Sequence, residues 1–147
     1  IIVSIEDSQA MCAQQDNNWS IVGINTSSDN SSITITSENV QVFTLKDGYT
    51  SNSYAFSYTD DEVKYLYAAS SSSNYLKSQK TLDDNGSWSI DIDESGNATI
   101  KAQGSNTKNL LQGANKSKKR LTVISFPLRC FHKKSNIFFS LLWRFRA

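Results

Sequence analysis

The chain of 147 residues is long enough to bury one hydrophobic core and too short for two full domains, and its 3 Trp, 6 Tyr and 7 Phe supply ample apolar volume for that core. Its formal net charge of +1 conceals an uneven distribution. Residues 1–115 carry all 14 acidic residues and 6 of the 15 basic ones, which gives them a net charge of −8. Residues 116–147 carry the other nine basic residues and no acidic residue.

This change in composition predicts two parts, an acidic domain over 1–115 and a basic, aromatic-rich tail over 116–147 that does not belong to the domain. An acidic domain is a poor match for nucleic acid, so no nucleic-acid partner is expected. No stretch reaches the roughly 18 consecutive apolar residues of a membrane-spanning helix, which excludes a stable helical span. The chain begins Ile1-Ile2-Val3 without Met or a signal-peptide pattern, which indicates a fragment or a processed product.

In chain order, the domain alternates short runs of β-branched and aromatic residues with turns rich in Ser, Asn, Asp and Gly. These runs recur at about the spacing found in β-sandwiches and barrels, and no long window shows a helical apolar period. The predicted strands are 1–5, 10–13, 19–24, 32–36, 40–45, 54–59, 63–68, 75–77, 88–92, 98–102 and 109–112.

The clearest unit is a hairpin of 88–92 and 98–102, because apolar and polar residues alternate on both strands around a loop with Gly96 and Asn97. A weaker internal repeat relates 56–77 to 88–112, although its Trp/Phe-Ser-Ile/Tyr pattern is also common in unrelated strands. We therefore predict an all-β fold, a compact antiparallel β-barrel. The repeat favours a β-trefoil as its particular form, with an irregular or partly helical C-terminal tail.

Three segments carry a family resemblance: YLYAASSSSNYLK at 65–77, WSIDID followed by GNATI within 88–100, and GSNTKNLL at 104–111. Together they resemble the β-rich accessory modules of secreted bacterial proteins, which are appended to endonuclease/exonuclease/phosphatase-type or glycan-degrading domains. The resemblance covers residues 1–112 and is clearest over 54–112. It implies a secreted or cell-surface location and a non-catalytic role, and it supplies no ligand.

The C-terminal part departs from that family, in which an aromatic-rich closing hairpin follows the strand that corresponds to 109–112. Here Gln112 leads into the basic run 116–120 and then into a Phe- and Leu-rich segment without acids. This composition is also that of an interfacial membrane segment or a nucleic-acid patch. The abrupt break favours a shifted reading frame or a fusion instead.

The domain lacks the residues for nucleophilic catalysis, because the single histidine, His132, lies in the tail. The oxygen-rich run 91–97 resembles a calcium loop, but Ala102 stands where the bidentate acid should be. We therefore expect no enzymatic activity, no cofactor and no metal. Cys12 and Cys130 either form one long-range disulfide or remain two free thiols.

Tyrosines beside Ser- and Asn-rich loops are the strongest functional signal. Aromatic faces with neighbouring amides and hydroxyls suit sugar rings, and Tyr65, Tyr67, Tyr75 and Asn74 are the candidate ligand-binding residues. The alternative is that these rings belong to the core or rim of the barrel. We expect a non-catalytic extracellular binding module whose partner is a glycan. The alternative is a structural spacer that packs against a neighbouring domain of the same protein.

Overall fold

The computed structural model describes residues 1–5, 7–27, 32–94 and 98–106 and the backbone of 122–123. These residues confirm the predicted all-β fold with antiparallel sheets. The strands are β1 (Ile2–Ser4), β2 (Gln9–Gln15), β3 (Asn18–Gly23), β4 (Asn25–Thr26), β5 (Ile33–Thr34), β6 (Thr44–Asp47), β7 (Tyr54–Thr59), β8 (Val63–Ala68), β9 (Leu76–Gln79), β10 (Trp88–Ile92), β11 (Ala98–Ala102) and β12 (Thr122–Val123), with one 3-10 turn at Asp84–Gly86.

Four predicted strands, β7, β8, β10 and β11, have the bounds that the sequence indicated. The prediction over 40–45 differs, because the strand there begins only at Thr44. Val40 is buried in the core, and the Gln41 amide donates to the Met11 carbonyl oxygen at 2.9 Å. Val40 and Phe43 therefore pack against the core without belonging to a strand ladder, whereas Val42 is exposed. The predicted strand 109–112 lies outside the described residues.

Strand β7 organises the larger sheet, of six strands, in which β11, β10, β7, β8 and β9 follow one another and β6 also pairs with β7. Ser57 faces both Thr44 and Tyr65, whereas Tyr54 faces both Asp47 and Trp88. One edge of β7 is therefore taken by β6, and the opposite edge is shared between β8 and β10. Two strands that share one edge must diverge, and the sheet curls into a half-barrel.

The smaller sheet has the order β12-β1-β2-β3, and β4 and β5 form a separate two-stranded ribbon. Adjacent residues of β1 point to opposite faces, so Ile2 joins one apolar cluster and Val3 joins the other. Both are almost fully buried, which explains why two consecutive residues of β1 are apolar. The cluster of Val3 also contains Cys12, a buried residue without a disulfide partner among the described residues, and burial raises the pKa of its thiol.

The larger cluster is built on aromatic rings that meet edge to face. Phe43 lies 5.5 Å from Trp19 and 6.1 Å from Phe56, measured between ring centroids, and Phe56 lies 6.4 Å from Trp88. Such tilted contacts add to the stabilisation from burial alone. Trp88 is only 1% exposed, and its indole Nε1 donates to the Leu66 carbonyl oxygen at 3.0 Å.

The internal repeat corresponds to two neighbouring hairpins of the half-barrel, β7–β8 and β10–β11. Each hairpin directs one apolar face into the shared core, with Leu66 and Ile100 both fully buried. The unit that begins at Trp19 lies in the other sheet, on β3. The threefold symmetry of a trefoil stays a prediction, because 109–112 lies outside the described residues.

Part of the basic tail is paired with the domain. Thr122 and Val123 form β12, which lies antiparallel to β1 with Val123 opposite Ile2. The rest of 116–147 lies outside the described residues, so the proposed origin of the tail and the domain boundary at 115 stay predictions.

A first prediction compares the two core tryptophans. The Trp88 indole N–H has a carbonyl partner, whereas that of Trp19 is buried with no partner among the described residues. Trp88→Phe leaves the Leu66 oxygen unpaired in the core, which costs about 1–3 kcal/mol beyond the lost packing. Trp19→Phe also loses ring volume but removes an unsatisfied donor. Urea denaturation should show Trp88→Phe to be the more destabilising by at least about 1 kcal/mol; equal losses would contradict the structure.

A second prediction concerns two glycines with opposite surroundings. A Cβ at Gly104 would overlap the Asn85 side chain and lie 2.7 Å from the Asn85 backbone nitrogen, whereas at Gly23 nothing lies within 4 Å. Gly104→Ala should lower the free energy of unfolding by about 1–3 kcal/mol. Gly23→Ala, the matched control, should leave it unchanged or slightly raised. A Gly104→Ala variant as stable as the wild type would contradict the close approach of Asn85 to Gly104.

Candidate functional site

The candidate site is built on the alternation of side chains along β8. Leu66 and Ala68 are 0% and 1% exposed and point into the core. Tyr65 and Tyr67 occupy the intervening positions and therefore point away from it, and both are half-buried. Packing of Leu66 and Ala68 thus determines which face of the hairpin carries the two tyrosines.

Strand β9 adds the other members of this face. Tyr65 is opposite Gln79 and Tyr67 is opposite Lys77, and paired residues of an antiparallel ladder lie on the same side. Tyr75 precedes Lys77 by two residues, and its carbonyl oxygen accepts from the Ala69 amide at 2.9 Å, so the pairing continues past the strand. We call Tyr65, Tyr67, Tyr75, Lys77 and Gln79 the tyrosine face.

Exposure differs across the tyrosine face. Tyr75 is 38% exposed at one end, beside the exposed Asn74. The Lys77 Nζ lies 5.9 Å from the centroid of the Tyr75 ring, within the range of a cation–π contact. At the other end the Gln79 Nε2 donates to Asp83 Oδ1 at 2.7 Å, which fixes that amide. The open part of the face is therefore the end with Tyr67, Tyr75 and Lys77.

The end of the β2–β3 hairpin supports β9 from the other sheet. Gln14 Oε1 accepts from both the amide and the hydroxyl of Ser78, at 2.7 and 2.8 Å. The Leu76 amide donates to the Asn17 carbonyl oxygen at 3.1 Å. With its side-chain amide oriented to satisfy its neighbours, Asn18 donates to the Asn74 carbonyl oxygen at 3.0 Å. These contacts hold the backbone that presents Asn74 and Tyr75.

The serine-rich loop before Tyr75 has a structural role. The Ser70 hydroxyl accepts from the amides of Ser72 and Ser73, at 3.2 and 3.0 Å, which closes a tight local turn. The Tyr75 amide then donates to the Ser73 carbonyl oxygen at 2.9 Å. The loop therefore adopts a defined bend that positions Asn74 and Tyr75 beside Tyr67.

The other two lysines of the β8–β9 hairpin and its ends, Lys64 and Lys80, are paired with carboxylates. Lys64 Nζ lies 2.8 Å from Asp60 Oδ2, and Lys80 Nζ lies 2.7 Å from Glu62 Oε1. The hydrogen bond from Lys64 holds the pKa of Asp60 below its usual value, and the same contact raises the pKa of Lys64. Lys77 makes no ion pair with any described carboxylate, and its ammonium group lies against Tyr75 instead.

The structure places three of the four candidate residues, Tyr65, Tyr67 and Tyr75, on one face, and the exposed Asn74 precedes Tyr75 in the chain. Sequence reasoning missed Lys77 and Gln79, because their place depends on the β8–β9 register. Tyr49 and Tyr54 are also exposed, at 73% and 42%, but they lie on and beside the β6–β7 turn, away from this hairpin.

The described residues contain no group of three side chains arranged to hold a metal ion. Asp91 lies on β10, but 95–97 of the calcium-like run lie outside the described residues, as do Cys130 and His132. Within the described part of the chain, no helix is long and apolar enough to cross a membrane.

Comparison with family models, with curated protein sequences and with solved structures finds no significant match to this chain. The geometry of the tyrosine face is therefore the basis for inferring a function.

Proposed function

We propose that the chain is a non-catalytic, extracellular accessory module that binds a glycan on the tyrosine face. The observation that carries this proposal is the convergence of three tyrosine rings on the outer face of one hairpin whose inner face buries Leu66 and Ala68. The proposed location outside the cell rests on the family resemblance of residues 54–112.

The chemistry of the face supports a carbohydrate ligand. A sugar ring presents apolar C–H groups on its faces and hydroxyls around its rim, so it needs aromatic surface and hydrogen-bonding groups side by side. Tyrosine supplies both in one side chain. Tyr67 and Tyr75 provide ring surface, and the exposed Asn74, directly before Tyr75 in the chain, has an amide with two donors and an acceptor.

Rigidity of the hairpin supports the same proposal. The backbone of β8 and β9 is held by the core on one side and by Gln14 and Asn17 on the other. Little conformational entropy is then lost from the protein when a ligand binds, and weak contacts to a sugar suffice for measurable affinity.

A second candidate function is that of a spacer that packs against a neighbouring domain. Ile92 favours it, because this residue is 57% exposed although it continues the inner face of Trp88 and Ile90 on β10. Ile92 lies opposite the buried Ala98, at the end of the β10–β11 hairpin. A spacer would use this exposed apolar side chain as part of its contact with the second domain.

A third prediction tests glycan binding with the full 147-residue chain. A glycan array should identify a ligand, and calorimetry should then show that Tyr67→Ala and Tyr75→Ala each weaken binding about tenfold or more, because each removes ring surface from the site. Tyr49→Ala is the matched control, since Tyr49 is 73% exposed and lies away from the tyrosine face.

The proposal fails if the array is silent across plant, animal and microbial glycans, or if Tyr49→Ala weakens binding as much as Tyr75→Ala does. In the former case Ile92→Ser distinguishes the spacer, because it should weaken association with a neighbouring domain of the parent protein and leave the folded chain intact.

A further inference from the structure

Lys77 is the only lysine of the β8–β9 hairpin that lies between tyrosine rings. It is opposite Tyr67 on the neighbouring strand, and its Nζ lies over the ring of Tyr75. From this placement we propose that the ligand of the tyrosine face is an acidic glycan, and that Lys77 pairs with the carboxylate of a uronic acid residue. This inference rests on the proposed function and specifies its substrate class.

Charge pairing sets Lys77 apart from its neighbours. The ammonium groups of Lys64 and Lys80 are each within 3 Å of a carboxylate, at 2.8 and 2.7 Å, and their charges are neutralised locally. Lys77 has no such partner among the described residues. Its half-buried position also means that it is less screened by water than a fully exposed lysine. An anion placed on the tyrosine face therefore meets an uncompensated positive charge.

Geometry places that charge where a sugar substituent would lie. A sugar ring stacked on Tyr67 has its rim, and with it a C6 carboxylate, beside that ring, and Lys77 lies directly opposite Tyr67 on the neighbouring strand. Lys77 Nζ is 5.9 Å from the centroid of the Tyr75 ring and carries three N–H donors. The contact with Tyr75 also holds the long lysine side chain along the face, which lowers the entropy lost when it pairs with a carboxylate.

The acidic character of the domain does not oppose this pairing strongly. Residues 1–115 carry an excess of acidic charge, but at physiological ionic strength charges more than about 8 Å away are largely screened. The short-range contact with Lys77 then decides the preference. The preference for an acidic ligand should weaken as salt is added, because the pair lies at the surface.

The experiment uses hexamers of galacturonic, mannuronic and guluronic acid and the methyl ester of each. Esterification removes the charge and keeps the backbone of the sugar. The ratio of the affinity for the acid to that for its ester therefore measures the contribution of the carboxylate charge. By calorimetry with the full chain, at least one acid should bind about tenfold more tightly than its ester. Lys77→Gln should reduce that ratio to near one, and Lys77→Arg should retain most of it. Lys64→Gln, which alters a paired lysine of the same hairpin, should leave it unchanged.

Equal affinity for acid and ester, or an unchanged ratio in Lys77→Gln, overturns the inference. If neutral glycans bind through Tyr67 and Tyr75 while no uronate is preferred, the inference fails and the proposed function stands. If neither uronates, esters nor neutral glycans bind, both fail.

Discussion

The hydrogen bond from the Trp88 indole to the Leu66 carbonyl oxygen is the contact on which the larger sheet depends. Strands β8 and β10 share one edge of β7 and diverge from it, so the polar backbone between them needs another partner. The indole N–H supplies it inside the core, where an unpaired carbonyl would be costly. A second bond of this kind runs from the Asn106 side chain to the Ala68 carbonyl oxygen. Together they close the half-barrel around the aromatic cluster.

The same constraint links the core to the candidate site. Leu66 and Ala68 point inward, and their carbonyl groups accept hydrogen bonds in the core. Because side chains alternate along β8, Tyr65 and Tyr67 must then lie on the outer face. Strand β9 follows through its ladder with β8 and through Gln14 of the other sheet. The tyrosine face is therefore a consequence of core packing. Any binding by this face uses a surface that exists before the ligand arrives.

Alternation and turn residues made much of this structure predictable from the sequence. Strands β10 and β11 alternate apolar and polar residues, whereas β7 and β8 are runs rich in aromatic and apolar residues bounded by turn residues, and the bounds of all four were predicted correctly. The strand predicted at 40–45 was misplaced because Val40 and Phe43 pack into the core without forming strand pairs. The tyrosines could be singled out as a group. Lys77 could not, because its position between two rings depends on a register that local sequence does not reveal.

Hydrogen exchange of the Trp88 indole N–H tests this account most directly. If the indole closes the half-barrel, its proton should exchange only when the whole chain unfolds, with the same opening free energy as the slowest backbone amides of β7 and β8. Its protection should then fall in parallel with theirs as urea is added. An indole proton that exchanges through local fluctuations, at a rate insensitive to urea while the β8 amides remain protected, would contradict the account.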